Sequence, residues 1–140
     1  MKMRWAFHFA IPLLGVALSV GPHVALGQQA APTEQEGQIV TIKTMTLDLG
    51  PEIDGMQGRR LRLRVQTLVP GGISRVHNHK DRPTMLHVLQ GTLTNHERDE
   101  KTVLRVGDSI AKGKDTTHWV QNNGTDLLMW VAVDIFNGTR

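Results

Sequence analysis

The sequence predicts an all-β fold, an antiparallel sandwich or barrel built as a single domain. Three observations carry this. Between Arg60 and Val69 apolar and polar residues alternate with a period of two, the period of a strand with unlike faces. From Ile39 onward short apolar runs recur between turn formers, and no segment of useful length repeats at the helical period. The length, 140 residues, suits one domain and no more.

The strand-like runs follow in order. Val40–Leu49 is the first, closed by Gly50-Pro51. In the second, Leu61, Leu63, Val65, Thr67 and Val69 alternate with Arg60, Arg62, Arg64 and Gln66. The apolar row is expected to be buried and the cationic row solvated. Pro70-Gly71-Gly72 turns the chain into a third run, Ile73–His79, and Thr84–Leu89 is the fourth. Thr102–Val106 ends at Gly107-Asp108. Asn122-Asn123-Gly124 precedes the last run, Leu127–Phe136, and Asn137-Gly138 closes it. The folded domain is therefore expected over residues 39–136, with a short tail at 137–140.

The N-terminus has the pattern of a secretory signal peptide over residues 1–27. Lys2 and Arg4 give a positive start, Trp5–Val20 is mostly apolar, and Ala25-Leu26-Gly27 supplies small residues for cleavage near Gly27. Pro12, Gly15 and His8 make it a poorer fit to a spanning helix of about 20 apolar residues. Residues 28–38, with Pro32 and little apolar content, are expected to form a flexible leader. The expected location is periplasmic or secreted, with no membrane contact once the signal is gone. There is no cysteine, which excludes disulfides, thiolate catalysis and zinc–thiolate clusters. The net charge of +3 falls to +1 without Lys2 and Arg4, so nucleic acid is not an expected partner.

Histidine carries the chemistry. Residues two apart on a strand point to the same face, so His77-Asn78-His79 aims two imidazoles into one space that a single metal can bridge. The duller reading is two polar residues on a wet face. Gly107-Asp108 can turn the chain so that the next strand returns His118 towards the pair.

Two spaced frames extend this. The first reads GGISRVHNHKDRPTMLHVLQG from Gly71 to Gly91, and the second GDSIAKGKDTTHWVQN from Gly107 to Asn122. Together they resemble the two motifs of the cupin superfamily: glycine, His-x-His, glutamate and glycine, then glycine, proline, glycine, histidine and asparagine. The resemblance implies a jelly-roll barrel and one divalent metal ion held by His77, His79 and His118, with Fe, Mn, Cu, Ni and Zn undistinguished. It also implies a homodimer, which cupins commonly form.

The departures are informative. Thr84 stands where the family has its glutamate, and Gly113 and Asp115 stand where proline and glycine are usual. Three neutral imidazoles leave a divalent ion its full charge, which favours a small anionic ligand or substrate and leaves open positions. Cupin-like dioxygenases include sites with three histidines and no glutamate, and the sequence is similar to them in that ligand set. The implied function is a metal-dependent oxygenase, or a lyase or isomerase; the alternative is a metal- or ligand-binding module without catalysis.

Thr84 is expected beside the ligands, hydrogen-bonding a metal-bound water. Arg82, with Arg75, Lys80 and Lys114, forms either a cationic mouth or a surface loop neutralised by Asp81 and Asp115. His96 is expected to be exposed after the Gly91 turn, with the site within its reach as the alternative. His87 faces away by strand parity, and Trp119 is expected in core or rim packing. No nucleophile elbow, phosphate loop or spaced carboxylate pair supports hydrolase or nucleotide chemistry.

Overall fold

In the computed structural model, which describes residues 39–138, the strands form two antiparallel sheets facing each other. They are β1 (Val40–Asp48), β2 (Arg59–Leu68), β3 (His77–Asn78), β4 (Thr84–Gln90) and β5 (Leu93–Glu97). β6 (Glu100–Leu104), β7 (Ser109–Lys112), β8 (Thr117–Gln121) and β9 (Leu128–Asn137) complete them. One sheet has the order β1-β2-β9-β4-β7 and the other β3-β8-β5-β6. No helix occurs among the described residues. The expected signal peptide and leader lie outside them, as do Thr139 and Arg140 of the expected tail; Asn137 is the last residue of β9.

β9 is the central strand of the larger sheet, and its burial alternates along its length. Leu128, Trp130 and Ala132 point inward to meet Leu68, Val88, Leu93 and Val120 from both sheets. These bury the apolar end of the interior. The glycine closing the first motif has a clear reason: Gly91 has φ of 75°, and a Cβ there would lie 3.0 Å from the Leu127 carbonyl oxygen. Any side chain would be strained and would push β9 away.

β5 and β7 were not distinguished in the sequence, and β8 was expected only as the strand that returns His118, without bounds. β5, LTNHE, is polar at its centre yet buried at four of five positions, so it carries no alternation to read. β7 has four residues, and β8 mixes polar and aromatic residues that are buried on both faces. The run Ile73–His79 keeps only a two-residue ladder at His77–Asn78, with an isolated bridge from Ile73 to Gln121.

The expectation for β2 is reversed. Its register with β9 sets Arg62 opposite Asp134, Arg64 opposite Ala132 and Gln66 opposite Trp130, all on the inner face. Leu61, Leu63 and Val65 point outward and are only half buried. The cause is Asp134, 1% exposed. Its carboxylate accepts from Arg62 Nε and Nη2 at 3.0 and 2.9 Å, from Arg64 Nη2 at 2.7 Å and from Arg82 Nη1 at 3.4 Å. A buried carboxylate requires such partners, and the alternation of β2 is satisfied with its cations inside. Asp134→Ala is expected to destabilise the domain by about 3 kcal/mol, near the lower end for a broken buried pair because the arginines keep some solvent contact. Urea unfolding at unchanged m would measure this; a loss below about 0.5 kcal/mol would show that the cluster behaves as a surface ion pair.

Candidate metal centre

At the other end of the interior the first and second motifs meet across one ladder. β3 pairs with β8 so that His77 sits opposite His118, and opposed residues of an antiparallel pair project to the same side. The His79 amide donates to the Thr116 carbonyl at 2.9 Å, which continues the ladder one step. His79, two residues beyond His77, therefore turns to the same side.

The three rings converge through Nε2. His118 Nε2 lies 2.8 Å from His79 Nε2 and 3.0 Å from His77 Nε2. Each ring's other nitrogen is engaged on the far side. His77 Nδ1–H donates to the Arg75 carbonyl at 3.1 Å, and His118 Nδ1–H to Asn95 Oδ1 at 2.6 Å. His79 Nδ1–H donates to Thr84 Oγ1 at 2.9 Å, with the Arg82 carbonyl at 3.2 Å. With every Nδ1 facing an acceptor, the Nε2 atoms carry the lone pairs, and three lone pairs point at one place. For metal–nitrogen bonds of about 2.0–2.1 Å, ligands at right angles stand about 3 Å apart. The two separations from His118 suit neighbouring ligands of one ion, and the three ligand nitrogens lie within 4.8 Å of one another, so these residues fit a metal ion.

Burial is the main force holding the rings neutral. It pushes His118 down to about 2, with nearby His77, His79, Lys112 and Arg82 adding to the effect. It lowers His79 to about 4 and lowers His77 as well. Neutral imidazole is the form that ligates.

Thr84 is buried beside this group. Its hydroxyl accepts from His79 and donates to the Arg82 carbonyl at 3.1 Å, so it fixes a ligand ring where the family glutamate would supply a charge. The nearest replacement carboxylate in register is Asp134, opposite Thr84 on β9, and it is taken up by arginines.

The triad lines a cavity of about 300 Å³. Arg64, Arg75, Arg82 and Lys112 share its wall, and Leu86, Trp130 and Ala132 form an apolar floor. Lys112 is buried and bound to Glu97 at 2.7 Å. Of the cations expected at the mouth, Arg75 and Arg82 reach the cavity, while Lys80 and Lys114 are exposed and do not. Arg82 pairs with Asp134, not with Asp81 or Asp115.

His96 corrects an expectation. It is neither exposed nor at the site: it is 5% exposed, stacked on Trp119 at 3.6 Å with an interplanar angle of 3°, and bonded to Gln121. On β5 the neighbouring Asn95 takes the inward position, so parity sends His96 to the opposite face. His87 lies exposed on the outer face, bonded to Ser109 Oγ. Asn95, Arg64, Lys112 and Asp134 were not singled out in the sequence. For Asn95 the sequence held no signal, since β5 carries no alternation to read.

Comparison with known proteins agrees with the fold. The cupin domain family matches residues 64–134, just over half the chain. The protein belongs to the cupin family. None of the curated proteins matches it. Among solved structures it is similar to a predicted oxalate decarboxylase from Thermotoga maritima, at 23% identity and a TM-score of 0.50, covering 53% of this chain and 64% of that one. The chain thus spans less than two thirds of that relative. A conserved protein with a double-stranded β-helix domain from Klebsiella pneumoniae is similar at 22% identity and a TM-score of 0.52, covering 56% and 69%. A cupin 2 conserved barrel domain protein from Salinispora arenicola is similar at 15% identity and a TM-score of 0.50, covering 77% and 88%. At these identities the likeness is one of fold.

Asn95→Ala is expected to weaken metal binding by about 10–100-fold, because it frees the His118 ring to turn. Competition with a chelator of known affinity would read the change. An affinity equal to wild type would show that the 2.6 Å bond does not set the ligand.

Proposed function

We propose that this domain binds one divalent metal ion through His77, His79 and His118 and acts as a metal-dependent oxygenase on a small anionic organic substrate. The carrying observation is the convergence of three Nε2 lone pairs at the wall of a cavity whose charged lining residues are all cationic. A divalent ion held by three neutral rings supplies Lewis-acid or redox activation at its open positions. The chain's own residues do the rest: Arg82, Arg75 and Lys112 attract an anion, and Trp130, Leu86 and Ala132 exclude water from its hydrocarbon part.

A lyase or isomerase is the weaker enzymatic reading. Such reactions usually need a general base, and no carboxylate lines the cavity, while Lys112 is bound to Glu97. The same observation favours, as the second reading, a module that binds a metal and an anion without turnover. Either activity would be exerted after export, which the charged and apolar pattern of residues 1–27 supports.

The outer face of the larger sheet supports the expected homodimer. Met45, Leu63, Val133 and Met85 lie in register across four strands of that face, with Met45 and Met85 60% and 69% exposed. A contiguous apolar sheet face of this kind suits a second copy of itself, apolar surface against apolar surface. Met85→Glu is expected to yield monomer in sedimentation velocity without loss of metal, since the side chain is already in water. A dimer that persists in Met85→Glu, or a wild type that is monomeric, would refute this face.

The decisive measurement is metal content of the protein starting near Gln28, beside a His77→Ala/His79→Ala variant. About one iron, manganese, copper, nickel or zinc per chain is expected, and its loss in the variant. No stoichiometric metal after reconstitution would overturn the proposal. Oxygen uptake on phenols, diketones and thiols then separates oxygenase from binding module.

A further inference from the structure

The cavity wall contains one donor that the fold leaves unused. Arg64 sits on the inner face of β2 and gives Nη2 to Asp134, but its Nε–H is buried without a hydrogen-bond partner. An unmet buried donor is costly, and more so on a charged group. Burial also draws the guanidinium below its ordinary value, against the pull of Asp134.

The surrounding charge says what kind of acceptor fits. Arg62, Arg64 and Arg82 share the single carboxylate of Asp134, and Lys112 has Glu97. Four cations meet two carboxylates, a surplus of two positive charges. A neutral acceptor would satisfy the N–H and leave the surplus in place, whereas an oxyanion answers both. The adjoining floor of Leu86, Trp130 and Ala132 suits a short hydrocarbon frame over a hydrated inorganic ion.

We infer that Arg64 docks a carboxylate of the substrate, which is therefore a small organic acid with two oxygen-bearing ends. One end is directed to the space among His77, His79 and His118, and the other rests on Arg64 Nε beside Arg82. This rests on the reading of the triad as a metal centre that takes an anionic ligand, and it narrows that ligand to bifunctional acids.

The test is calorimetric titration of manganese-loaded protein with malonate, succinate and glutarate, each against the monocarboxylate of equal length. The best diacid is expected to bind about 10–100-fold tighter than its monoacid. In Arg64→Gln the preference falls to within about threefold, with metal content unchanged. Because that change removes a counter-charge from Asp134 and can cost the fold, Arg64→Lys is measured beside it. Lysine keeps the charge but has no Nε–H in that place, and the same collapse is expected. Equal affinities in wild type, or a preference that survives in Arg64→Lys, overturns the inference and leaves the metal reading standing. A wild type that takes up no metal overturns both.

Discussion

The polar half of this barrel depends on one buried carboxylate. Asp134 holds Arg62, Arg64 and Arg82 from two other segments, and two of these arginines, Arg64 and Arg82, line the cavity. Buried ion pairs rarely add net stability over a well-packed apolar alternative, so stability alone does not account for the cluster. What it does is positional. It ties β2 to β9, and by holding the Arg82 side chain it fixes the loop whose carbonyl oxygen meets both His79 Nδ1 and the Thr84 hydroxyl. The orientation of one candidate ligand is thus coupled to an ion cluster a strand away.

From that constraint the division of the interior follows. One end, around Leu93, Leu128 and Val88, is dry and close-packed. The other is lined by polar groups that are almost all satisfied by one another: Nδ1 atoms on carbonyls and amides, Thr84 between a ring and a carbonyl, Lys112 on Glu97. Satisfaction of that kind rigidifies a site. It also leaves two sorts of unmet capacity: the Nε2 lone pairs of three histidines that line the cavity, and the buried Nε–H of Arg64. On the proposed reading the first would take a cation and the second an anion.

Much of the fold was legible because motif spacing and strand alternation agree along Thr84–Leu89 and Leu127–Phe136. The histidine cluster was legible for the same reason: His-x-His on a strand and a third histidine after a glycine turn leave few other arrangements. The rest failed where alternation has two solutions. Period two in β2 names two faces without saying which one is inside, and the answer lay with Asp134, 70 residues away from Arg64. β5 failed because both of its faces are buried, the outer one by His96 stacked on Trp119, so a buried strand reads as a polar loop. Asn95 became visible only once β5 and β8 were paired.

The exchange of the family glutamate for Thr84 acquires a meaning in this setting. A carboxylate at that position would lower the charge of a bound divalent ion and pair with the arginines across the cavity. With threonine the ligand set is neutral, while the surrounding cations already exceed the carboxylates by two. A divalent ion entering alone meets repulsion from Arg82, Arg64 and Lys112, and an organic anion entering alone finds only part of its counter-charge. Together each relieves what opposes the other, and such linkage is reciprocal by thermodynamic necessity. On the proposed reading the neutral triad and the cationic wall would act as one device, in which occupancy by metal and by anion rise together.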